Sequence, residues 1–433
     1  MLWTVALTGG PRRVNHAAVT IDGHVWTFGG YCSGEPQESN IPVDIHVLNT
    51  HTYRWQAVHA TNEGIPRQPK DRSTGREEQM DGLNRIERIM GGAILGEEMD
   101  VDEDDDDRLS AERLPKQVPY QRYGHTVCAY NGKAYLWGGR NDEFGASSLL
   151  HEFNPCTLQW TLVETTGIRP PARDGHSAVV YGSKMYIFGG FEEDLQRFSQ
   201  ETYVFDFKRQ RWTQLITKGI PPLWRDFHTA VALDDNMYVF GGRSDQMGEF
   251  HSTKDIYDER LQILNLKTLE WREAVATGPK PCGRRSHSAW AYGGRMYTFG
   301  GYQGTINKHF NDLHCYDPNT GSWEVVVPNG EFPSARRRQC TVVIDHKLYL
   351  FGGTMPIGVT ANNSASGLAD LDDLHILDFQ PSLETLAMQQ LIKLKDPRTA
   401  YYLPRVLWTQ YENMTKPNTI SPGHSATRME LFG

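Results

Sequence analysis

The feature that most constrains this chain is an arginine followed, 16 positions later, by a Gly-Gly pair that closes a hydrophobic run. The spacing occurs six times, at Arg13 with Gly29, Arg122 with Gly138, Arg173 with Gly189, Arg225 with Gly241, Arg284 with Gly300, and Arg336 with Gly352. In five units the arginine begins an Arg-x-x-His string, and in the sixth Gln339 stands in the histidine position. A fixed internal spacing of this kind indicates a repeat protein.

Successive Gly-Gly pairs lie 51, 52, 59 and 52 residues apart over the last five units, but the first interval is 109 residues. We therefore expect an insertion between units one and two, and we assign it to residues 65–117. This segment has no Trp, Tyr or Phe, and nine of the eleven residues from Glu97 to Asp107 are acidic. Because such a composition buries too little apolar surface to fold, the sequence predicts a disordered acidic loop.

Each unit shows the alternation of apolar and polar residues that is typical of β-strands. In unit three we expect four strands, at 176–180, 185–188, 202–206 and 212–216. A tryptophan marks the fourth strand in five units, at Trp55, Trp160, Trp212, Trp271 and Trp323. The sixth unit lacks this tryptophan, whereas the segment around Trp3 matches the missing strand. We expect the N-terminal strand to complete the last unit, which would close a ring and remove exposed sheet edges.

The chain resembles the kelch-repeat family over residues 1–381. The resemblance rests on the repeat period and on three features that recur in register: the Gly-Gly pair, the aromatic residue before it and the downstream tryptophan. The resemblance implies an all-β fold: a six-bladed kelch β-propeller closed by the N-terminal strand, with a short helical C-terminal tail. We divide the chain into the propeller at 1–381 with its insert at 65–117, a helical region at 382–415 and a flexible tail at 416–433. The fold alone does not give the function, because propellers host both enzymes and binding modules.

The composition fits one large domain with a tail: 433 residues, of which 39% are hydrophobic and 11% aromatic. The first residues lack the basic flank and the apolar run of a signal peptide, and no stretch approaches about 18 apolar residues, so we expect no membrane partner and a cytoplasmic and nuclear location. The cysteines are scattered singly, which favours reduced thiols over disulfides or a zinc site. We expect no cofactor. The net charge of −9 equals the charge of the acidic run alone, and so says little about partners.

The six arginines should share one rim, because the loops entering strand one and leaving strand two of an antiparallel blade lie on the same face. The residues after each Gly-Gly pair should line the same depression: Tyr31, Arg140, Phe191, Arg243, Tyr302 and Thr354. Arginine holds carboxylate or phosphate through two parallel hydrogen bonds, so this cup predicts an anionic ligand. Arg225 and Arg243 are the first candidates, and Arg140, Arg337 and Arg338 also depart from the repeat.

A structural role for the repeated arginine is the alternative, since it could tie neighbouring blades together through backbone carbonyls and carboxylates. The histidines of the Arg-x-x-His strings fall at the start of an inner strand, and we expect them to pack in the core. The Gly-Gly pairs are also expected to be structural, because glycine permits a positive φ and a close approach of the backbone.

The C-terminal region predicts a second functional surface, because residues 382–391 read as an amphipathic helix outside the propeller. Ser382, Leu383 and Leu391 resemble the elongin-binding box, in which Ala387 stands where the box usually has Cys. Leu403, Pro404 and Leu407 resemble the element by which receptors of this type select cullin two. A plain helix packed under the propeller is the alternative for either segment.

With both motifs following a kelch propeller, the chain is similar to the kelch-repeat substrate receptors of cullin-RING ubiquitin ligases. Matching strings include Trp224–His228 and Leu374–Phe379. The resemblance implies a non-catalytic subunit that binds client proteins with a C-terminal glycine, and assembles with elongin B/C and with cullin two and its RING subunit. A client's terminal glycine would be selected because a Cβ would clash.

The resemblance also implies roles for particular residues. The client's carboxylate would be held by Arg173, Arg225, Arg243 and Arg284. The pocket walls would be Tyr123, Trp224, Tyr302, Asp174 and Asp226, the two aspartates facing a basic residue upstream. The chain itself ends in Gly433, so the same pocket would allow self-association through that glycine.

Two other functions stay open. A non-catalytic scaffold for chromatin or cytoskeletal partners would use the run Arg336–Arg338 and the acidic loop, and would not need the tail motifs. An enzyme would need a catalytic constellation, such as the copper ligands of kelch oxidases, and no unit departs from the repeat in a way that builds one.

Overall fold

The computed structural model describes residues 1–34, 41–61, 117–252, 254–359, 365–394 and 402–420. The predicted disordered insert at 65–117 lies outside these residues except for Gln117, and the last thirteen residues, which include Gly433, lie outside them as well. The described part of the chain is all-β with two α-helices, as the repeat pattern predicts. Among its helices, none is long and apolar enough to cross a membrane.

Six antiparallel sheets, one for each Arg-to-Gly-Gly unit, form the framework. The first three are sheet 1, with β2 (Ala17–Ile21), β3 (His24–Phe28), β4 (Ile45–Asn49) and β5 (Arg54–Val58); sheet 2, with β6 (Tyr123–Tyr130), β7 (Lys133–Asn141), β8 (Leu150–Asn154) and β9 (Gln159–Leu162); and sheet 3, with β10 (Ser177–Tyr181), β11 (Lys184–Phe188), β12 (Thr202–Asp206) and β13 (Arg211–Gln214). The other three are sheet 4, with β14 (Thr229–Leu233), β15 (Asn236–Phe240), β16 (Gln262–Asn265) and β17 (Glu270–Glu273); sheet 5, with β18 (Ser288–Tyr292), β19 (Arg295–Phe299), β20 (Leu313–Asp317) and β21 (Ser322–Val326); and sheet 6, with β22 (Cys340–Ile344), β23 (Lys347–Phe351), β24 (Leu374–Asp378) and β1 (Leu2–Leu7).

Shorter strands and one 3-10 turn accompany these sheets. Small hairpins follow the Gly-Gly pairs of sheets 3 to 6: Phe191–Glu192 with Arg197–Phe198, Ser244–Asp245 with Asp255–Ile256, Tyr302–Gln303 with Lys308–His309, and Thr354–Val359 with Ala365–Asp370. The remaining short strands are Gly145–Ala146, Thr166–Gly167, Arg173–Asp174 and Lys218–Gly219, and a 3-10 turn spans Gly304–Ile306. The two helices are α1 (Leu383–Leu394) and α2 (Arg405–Thr415).

The N-terminal strand belongs to the last sheet. β1 pairs antiparallel with β24, from Leu2 opposite Asp378 to Leu7 opposite Leu374. Trp3 is 2% exposed and takes the place of the tryptophan that marks the fourth strand of the other sheets. The prediction that the N-terminal strand completes the sixth unit is therefore confirmed.

Apolar side chains fill the space between neighbouring sheets. Between sheets 3 and 4, the ring of Phe188 lies 5.1 Å from that of Trp271. Between sheets 6 and 1, the ring of Phe351 lies 5.1 Å from that of Trp55 in an edge-on arrangement. Aromatic side chains bury more apolar area than any others, so these contacts supply much of the hydrophobic stabilisation of each junction.

A chain of backbone hydrogen bonds also links the repeats. It runs through the residue just before the histidine position of each unit, which has a left-handed φ between 49° and 68°. The amide of each such residue donates to the carbonyl of its counterpart in the preceding unit over 2.7 to 3.2 Å, and the first donates to the last. The six residues are Asn15, Gly124, Gly175, Phe227, Ser286 and Arg338. The bonds therefore pass through all six repeats and return to the first.

The repeated arginine is a second link between repeats. Arg225 is 0% exposed, and its guanidinium donates to the carbonyls of Gly241 and Leu223 at 2.8 Å and to Asp258 at 3.1 Å. Its own backbone carbonyl accepts a bond of 2.8 Å from the amide of Gly190 in sheet 3. The Arg225 side chain thus bonds within its own sheet, and its backbone bonds to the preceding sheet. The bond from the guanidinium to the first glycine of the pair accounts for the 16-residue spacing.

The bond to the glycine carbonyl recurs in four of the other units. The guanidinium donates to the carbonyl of the first glycine of the pair at Arg122, Arg173, Arg284 and Arg336. The glycines are required by these contacts, because Gly241 has a φ of 68° and a Cβ on it would lie 2.4 Å from the carbonyl oxygen of Arg284. The predicted structural role of the Gly-Gly pairs is confirmed.

The histidines of the repeat pack in the core, as predicted. The five are 5 to 6% exposed, and burial lowers the pKa of His16, His125 and His287 to about 3. They are therefore neutral at physiological pH. In the sixth unit Gln339 donates to the carbonyl of Phe299 at 3.2 Å, which replaces the bond that His125 makes to Phe28.

Removing a buried guanidinium should destabilise the whole fold. We expect Arg225→Ala to lower the free energy of unfolding by about 3 to 5 kcal/mol, because Asp258 and the Gly241 carbonyl lose their partner. Thermal and urea unfolding would measure the change. Arg209→Ala is the control, since that side chain is 80% exposed and should alter stability by less than about 0.5 kcal/mol. Normal stability of the Arg225→Ala protein would contradict the structural role.

Candidate functional site

The candidate site is a cup at the entrances to the first strands. In each unit, the residue after the repeated arginine pairs across the rim with the residue after the Gly-Gly pair. The six pairs are Val14 with Tyr31, Tyr123 with Arg140, Asp174 with Phe191, Asp226 with Arg243, Arg285 with Tyr302, and Arg337 with Thr354. We use the word cup for these pairs together with the six hydrogen-bonded residues described above.

Several predicted site residues do lie in the cup. Tyr123 and Tyr302 are half-buried wall residues, and the Tyr123 hydroxyl donates to Asp142 at 2.9 Å. Asp174, Asp226 and Arg243 belong to two of the six pairs. Trp224 is half-buried on the chain before Arg225 and is not one of the paired residues.

Three of the four predicted carboxylate-binding arginines are enclosed in the fold and do not reach the open part of the cup. The side chains of Arg173, Arg225 and Arg284 are 0% exposed. Each donates to a glycine carbonyl, and each pairs with a carboxylate of its own repeat: Glu192, Asp258 and Asp312 respectively. A ligand carboxylate has no direct access to groups that are enclosed and already satisfied, so the contacts favour the structural alternative for these arginines.

The fourth, Arg243, reaches the rim but is engaged. Its guanidinium makes a bidentate contact with Asp226, at 2.5 and 3.2 Å. The neighbouring Arg140 pairs with Glu193 at 3.2 Å. Both arginines therefore already have carboxylate partners, and a ligand anion would have to compete with them.

A different set of arginines is available in sheets 5 and 6. Arg285, Arg337 and Arg338 are half-buried, and no described carboxylate lies within ion-pair distance of any of them. Their nearest partners are aromatic: the Arg337 guanidinium lies 4.4 Å from the Tyr302 ring centre and that of Arg285 lies 5.7 Å from it. We call these three arginines, with Tyr302, Tyr31 and His309, the basic side of the cup.

The basic side has unsatisfied hydrogen-bond donors. Arg338 donates through Nη1 to the Tyr31 hydroxyl at 2.5 Å, but its Nε and that of Arg337 are buried with no partner in the described part of the chain. Buried polar groups without partners are rare and costly. These unpartnered donors therefore add to the positive potential of the basic side.

The pKa values reflect the crowding of positive charge. Burial, together with Arg338 and Arg285, lowers the pKa of Arg337 to about 10. Burial and the same cluster, through Arg337 and Arg338, lower the pKa of His309 to about 4. At neutral pH the arginines remain charged and His309 is uncharged, so the basic side carries a net positive charge and favours an anion.

The opposite side, in sheets 2 to 4, is acidic. The Asp174 carboxylate is 7% exposed and accepts no hydrogen bond from any described residue. Burial and the neighbouring Asp226 raise the pKa of Asp174 to about 7. The cup therefore has a positive side and a negative side, which suits a ligand with an anionic end and a cationic group nearby.

The important arginines were only partly visible in the sequence. Arg285 was not a candidate, and Arg337 and Arg338 appeared only as departures from the repeat. The signal that could have identified them is the doubled arginine, since Arg284-Arg285 and Arg336-Arg337 each place a second arginine directly after the structural one. The run Arg336–Arg338 is not the exposed basic patch that the scaffold hypothesis needs, because Arg336 is 0% exposed.

The tail forms a second candidate surface. Helix α1 begins after Ser382, whose hydroxyl accepts a bond of 3.1 Å from the Thr385 amide. Met388 of α1 and Met414 of α2 are 4 and 5% exposed, in the core cluster of sheets 6 and 1. Leu391 and Leu407 are partly buried against the same cluster.

Other residues of the tail motifs face outward. Leu383 is 84% exposed, and Ala387 on the same helix is also exposed. Leu403 is half-buried, and Pro404 is exposed just before α2. The packed-helix alternative is therefore correct for one face of each helix, while the first turn of α1 remains open to a partner. No group of three or more metal-ligating side chains occurs in the described residues.

Comparison with known proteins identifies the family. A model described as the KLHDC2/KLHL20/DRC7 Kelch-repeats domain matches residues 124–353, and a Kelch motif matches residues 12–58. Kelch domain-containing protein 3 of Homo sapiens and that of Bos taurus are each 39% identical over 419 residues, which is 97% of this chain and 97% of each relative. Host cell factor 2 of Homo sapiens is 31% identical over 254 residues, 55% of this chain and 31% of that protein. The chain belongs to the kelch-repeat family, in the group that includes kelch domain-containing protein 3.

Proposed function

We propose that the chain is a substrate receptor of a cullin-RING ubiquitin ligase that binds the C-terminal glycine of client proteins in the cup. The observation that carries the proposal is the convergence of Arg285, Arg337 and Arg338 without a described carboxylate partner. Three such guanidinium groups with aromatic walls form a site for a carboxylate that is largely removed from water, where charge-assisted hydrogen bonds are strongest.

The six sheets are, in this proposal, the blades of a closed propeller. The hydrogen bonds that return from Arg338 to Asn15 and the pairing of β1 with β24 support closure. Closure matters for the site because the basic side lies in sheets 5 and 6, and sheet 6 is the sheet that β1 completes. A ligand there contacts Tyr31 of the first sheet as well as the arginines of the last.

Asp174 is proposed to bind a basic residue just before the terminal glycine. Its carboxylate is the one on the acidic side that lacks a described hydrogen-bond partner, whereas Asp226 is occupied by Arg243. A terminal Arg-Gly or Lys-Gly sequence would place a carboxylate on the basic side and a cation on the acidic side. Glycine at the end lets the main chain approach the crowded tyrosine and arginine side chains, which a Cβ would hinder.

The first turn of α1 is proposed to bind elongin B/C, and the segment around Leu403 and Pro404 to bind cullin two with its RING subunit. The exposure of Leu383, Leu386 and Ala387 supports this, because several apolar side chains exposed together at the start of one helix form a patch that a partner can cover. Self-association through Gly433 is also proposed, although that residue lies outside the described part of the chain.

A peptide-binding measurement tests the cup. Peptides ending in Arg-Gly with a free carboxylate should bind, and amidated peptides should not. Arg337→Gln should weaken binding by about 2 kcal/mol or more, which is about 30-fold, because the carboxylate loses a desolvated cation. Fluorescence polarisation would measure the affinities, with Arg209→Gln as the control.

Equal affinity for free and amidated peptides would refute carboxylate recognition. In the same assay, an unlabelled peptide of the last six residues, Arg428–Gly433, should compete with the labelled one if the chain recognises its own end. No competition would remove the self-association proposal without affecting the rest.

Binding of Arg-Gly peptides should depend on pH through Asp174. Because the pKa of this carboxyl is raised to about 7, it is mostly ionised at pH 8 and mostly protonated at pH 6. Affinity for an Arg-Gly end should therefore fall by up to roughly tenfold from pH 8 to pH 6. A Ser-Gly peptide and the Asp174→Asn protein are the controls, and both should show a flat profile. A fall of the same size in Asp174→Asn would place the titrating group elsewhere.

The tail can be tested by co-purification with elongin B/C. Leu383→Ser should abolish binding, because the exposed leucine is the apolar anchor, and Ala387→Cys should strengthen it by restoring the residue that the box usually has. Leu394→Ser, at a leucine 67% exposed beyond the motif, is the control and should behave as wild type. Unchanged recovery with Leu383→Ser would show that α1 is not the binding element.

A further inference from the structure

Loops of sheets 3 and 4 expose three large apolar side chains close to the cup. Leu195, Met247 and Phe250 are 56, 66 and 59% exposed. We call these three residues the ledge. They lie on the cup side of the sheets, because their loops directly follow the rim residues Phe191 and Arg243.

The ledge is held rigidly although its side chains are exposed. Arg197, two residues after Leu195, pairs with Glu192, Glu201 and Glu249 at 2.9 Å each. Glu249 belongs to the sheet 4 loop, and its carbonyl also accepts a bond of 2.7 Å from the Phe198 amide. The two loops are therefore joined across the boundary between sheets.

The turn that carries Met247 is fixed as well. The Asp245 side chain is buried and accepts bonds from the amides of Met247 and Ser252, at 2.9 and 2.6 Å. Because hydrogen bonds already order the backbone of this turn, binding costs little further backbone entropy, and more of the free energy of burial contributes to affinity.

The ledge is continuous with the acidic side of the cup. The buried Phe198 ring lies 5.4 Å from that of Phe191 and 5.2 Å from the guanidinium of Arg243, which holds Asp226. A client anchored by its carboxylate on sheets 5 and 6, with a cation on Asp174 of sheet 3, is directed across the cup towards sheets 3 and 4. The chain leaving the cup therefore meets the ledge.

We propose that the ledge binds an apolar side chain of the client, located upstream of its C-terminal glycine. This inference rests on the proposed function and extends it, because it adds a second specificity determinant outside the cup. The occupant is the client's own extended segment, since the ledge continues a site that already directs the chain towards it. The apolar side chain would contact Phe250 and Met247, with Leu195 beside them.

The test is a leucine scan in peptides that end in Arg-Gly. Leucine is placed singly at each of the third to seventh positions from the end, in an otherwise Gly/Ser sequence. We expect leucine at one or two positions to raise affinity about tenfold, as burial of one large apolar side chain allows. Phe250→Ser and Met247→Ser should abolish this gain while leaving the affinity for the leucine-free peptide unchanged.

Ile306→Ser is the matched control, because Ile306 is 58% exposed on the corresponding loop of sheet 5, on the basic side. A flat scan, or a gain that survives in both ledge variants, would overturn the inference. So would a dimer in mass photometry that Phe250→Ser converts to monomer, since the ledge would then join two copies of the chain. If no free-carboxylate peptide binds at all, the proposed function fails first, and the ledge with it.

Discussion

The buried arginine between two Gly-Gly pairs is the interaction on which the rest of the structure depends. Its guanidinium donates to the first glycine of its own repeat, and its carbonyl accepts from the second glycine of the preceding one, as Arg225 does with Gly241 and Gly190. Taking a guanidinium out of water is costly, and the cost is offset only when its donors are satisfied. The glycine carbonyl, a second carbonyl and a carboxylate such as Asp258 meet that requirement. An arginine so used is committed to the fold and cannot also serve a ligand.

This commitment explains why the repeated sheets could be predicted from the sequence and the candidate binding residues could not. The spacing of Arg225 and Gly241, and the tryptophan missing after the sixth unit, were enough to predict repeated sheets and a last sheet completed by Trp3. The repeat spacing does not determine the direction in which a side chain points. Successive residues of an extended chain point to opposite sides, so Arg284 enters the core while Arg285, one step later, faces the cup. A repeat pattern marks both positions equally, and only the backbone geometry separates them.

The division between fixed and variable positions also shows how one framework can acquire specificity. The residue before the histidine position carries the ring of hydrogen bonds through its backbone, so its side chain is free to differ: glycine at 124 and 175, but Phe227 and Arg338 elsewhere. The rim position directly before it in the sequence likewise holds Asp174 in one repeat and Arg337 in another. Charge of either sign can therefore be placed around the cup without disturbing the bonds that hold the sheets. The separation of a basic side from an acidic side is the result of such substitutions.

The tail packs into the same framework, and this packing fixes the position of its two helices. In sheet 4 a linker glycine, Gly219, lies against the carbonyl of Trp271 on the outer strand. In sheet 1 the corresponding Gly9 lies against the carbonyl of Asn418 instead. The Asn418 amide donates to Thr8 at 2.7 Å, and its side chain accepts from the Trp55 amide at 3.2 Å. A residue of the tail thus fills the junction between the linker and the outer strand.

Because Met388 and Met414 are buried in the core beside it, α1 and α2 are anchored to the junction of sheets 6 and 1. The outward face of α1 is therefore held at a fixed position relative to the cup, as the proposed receptor function requires.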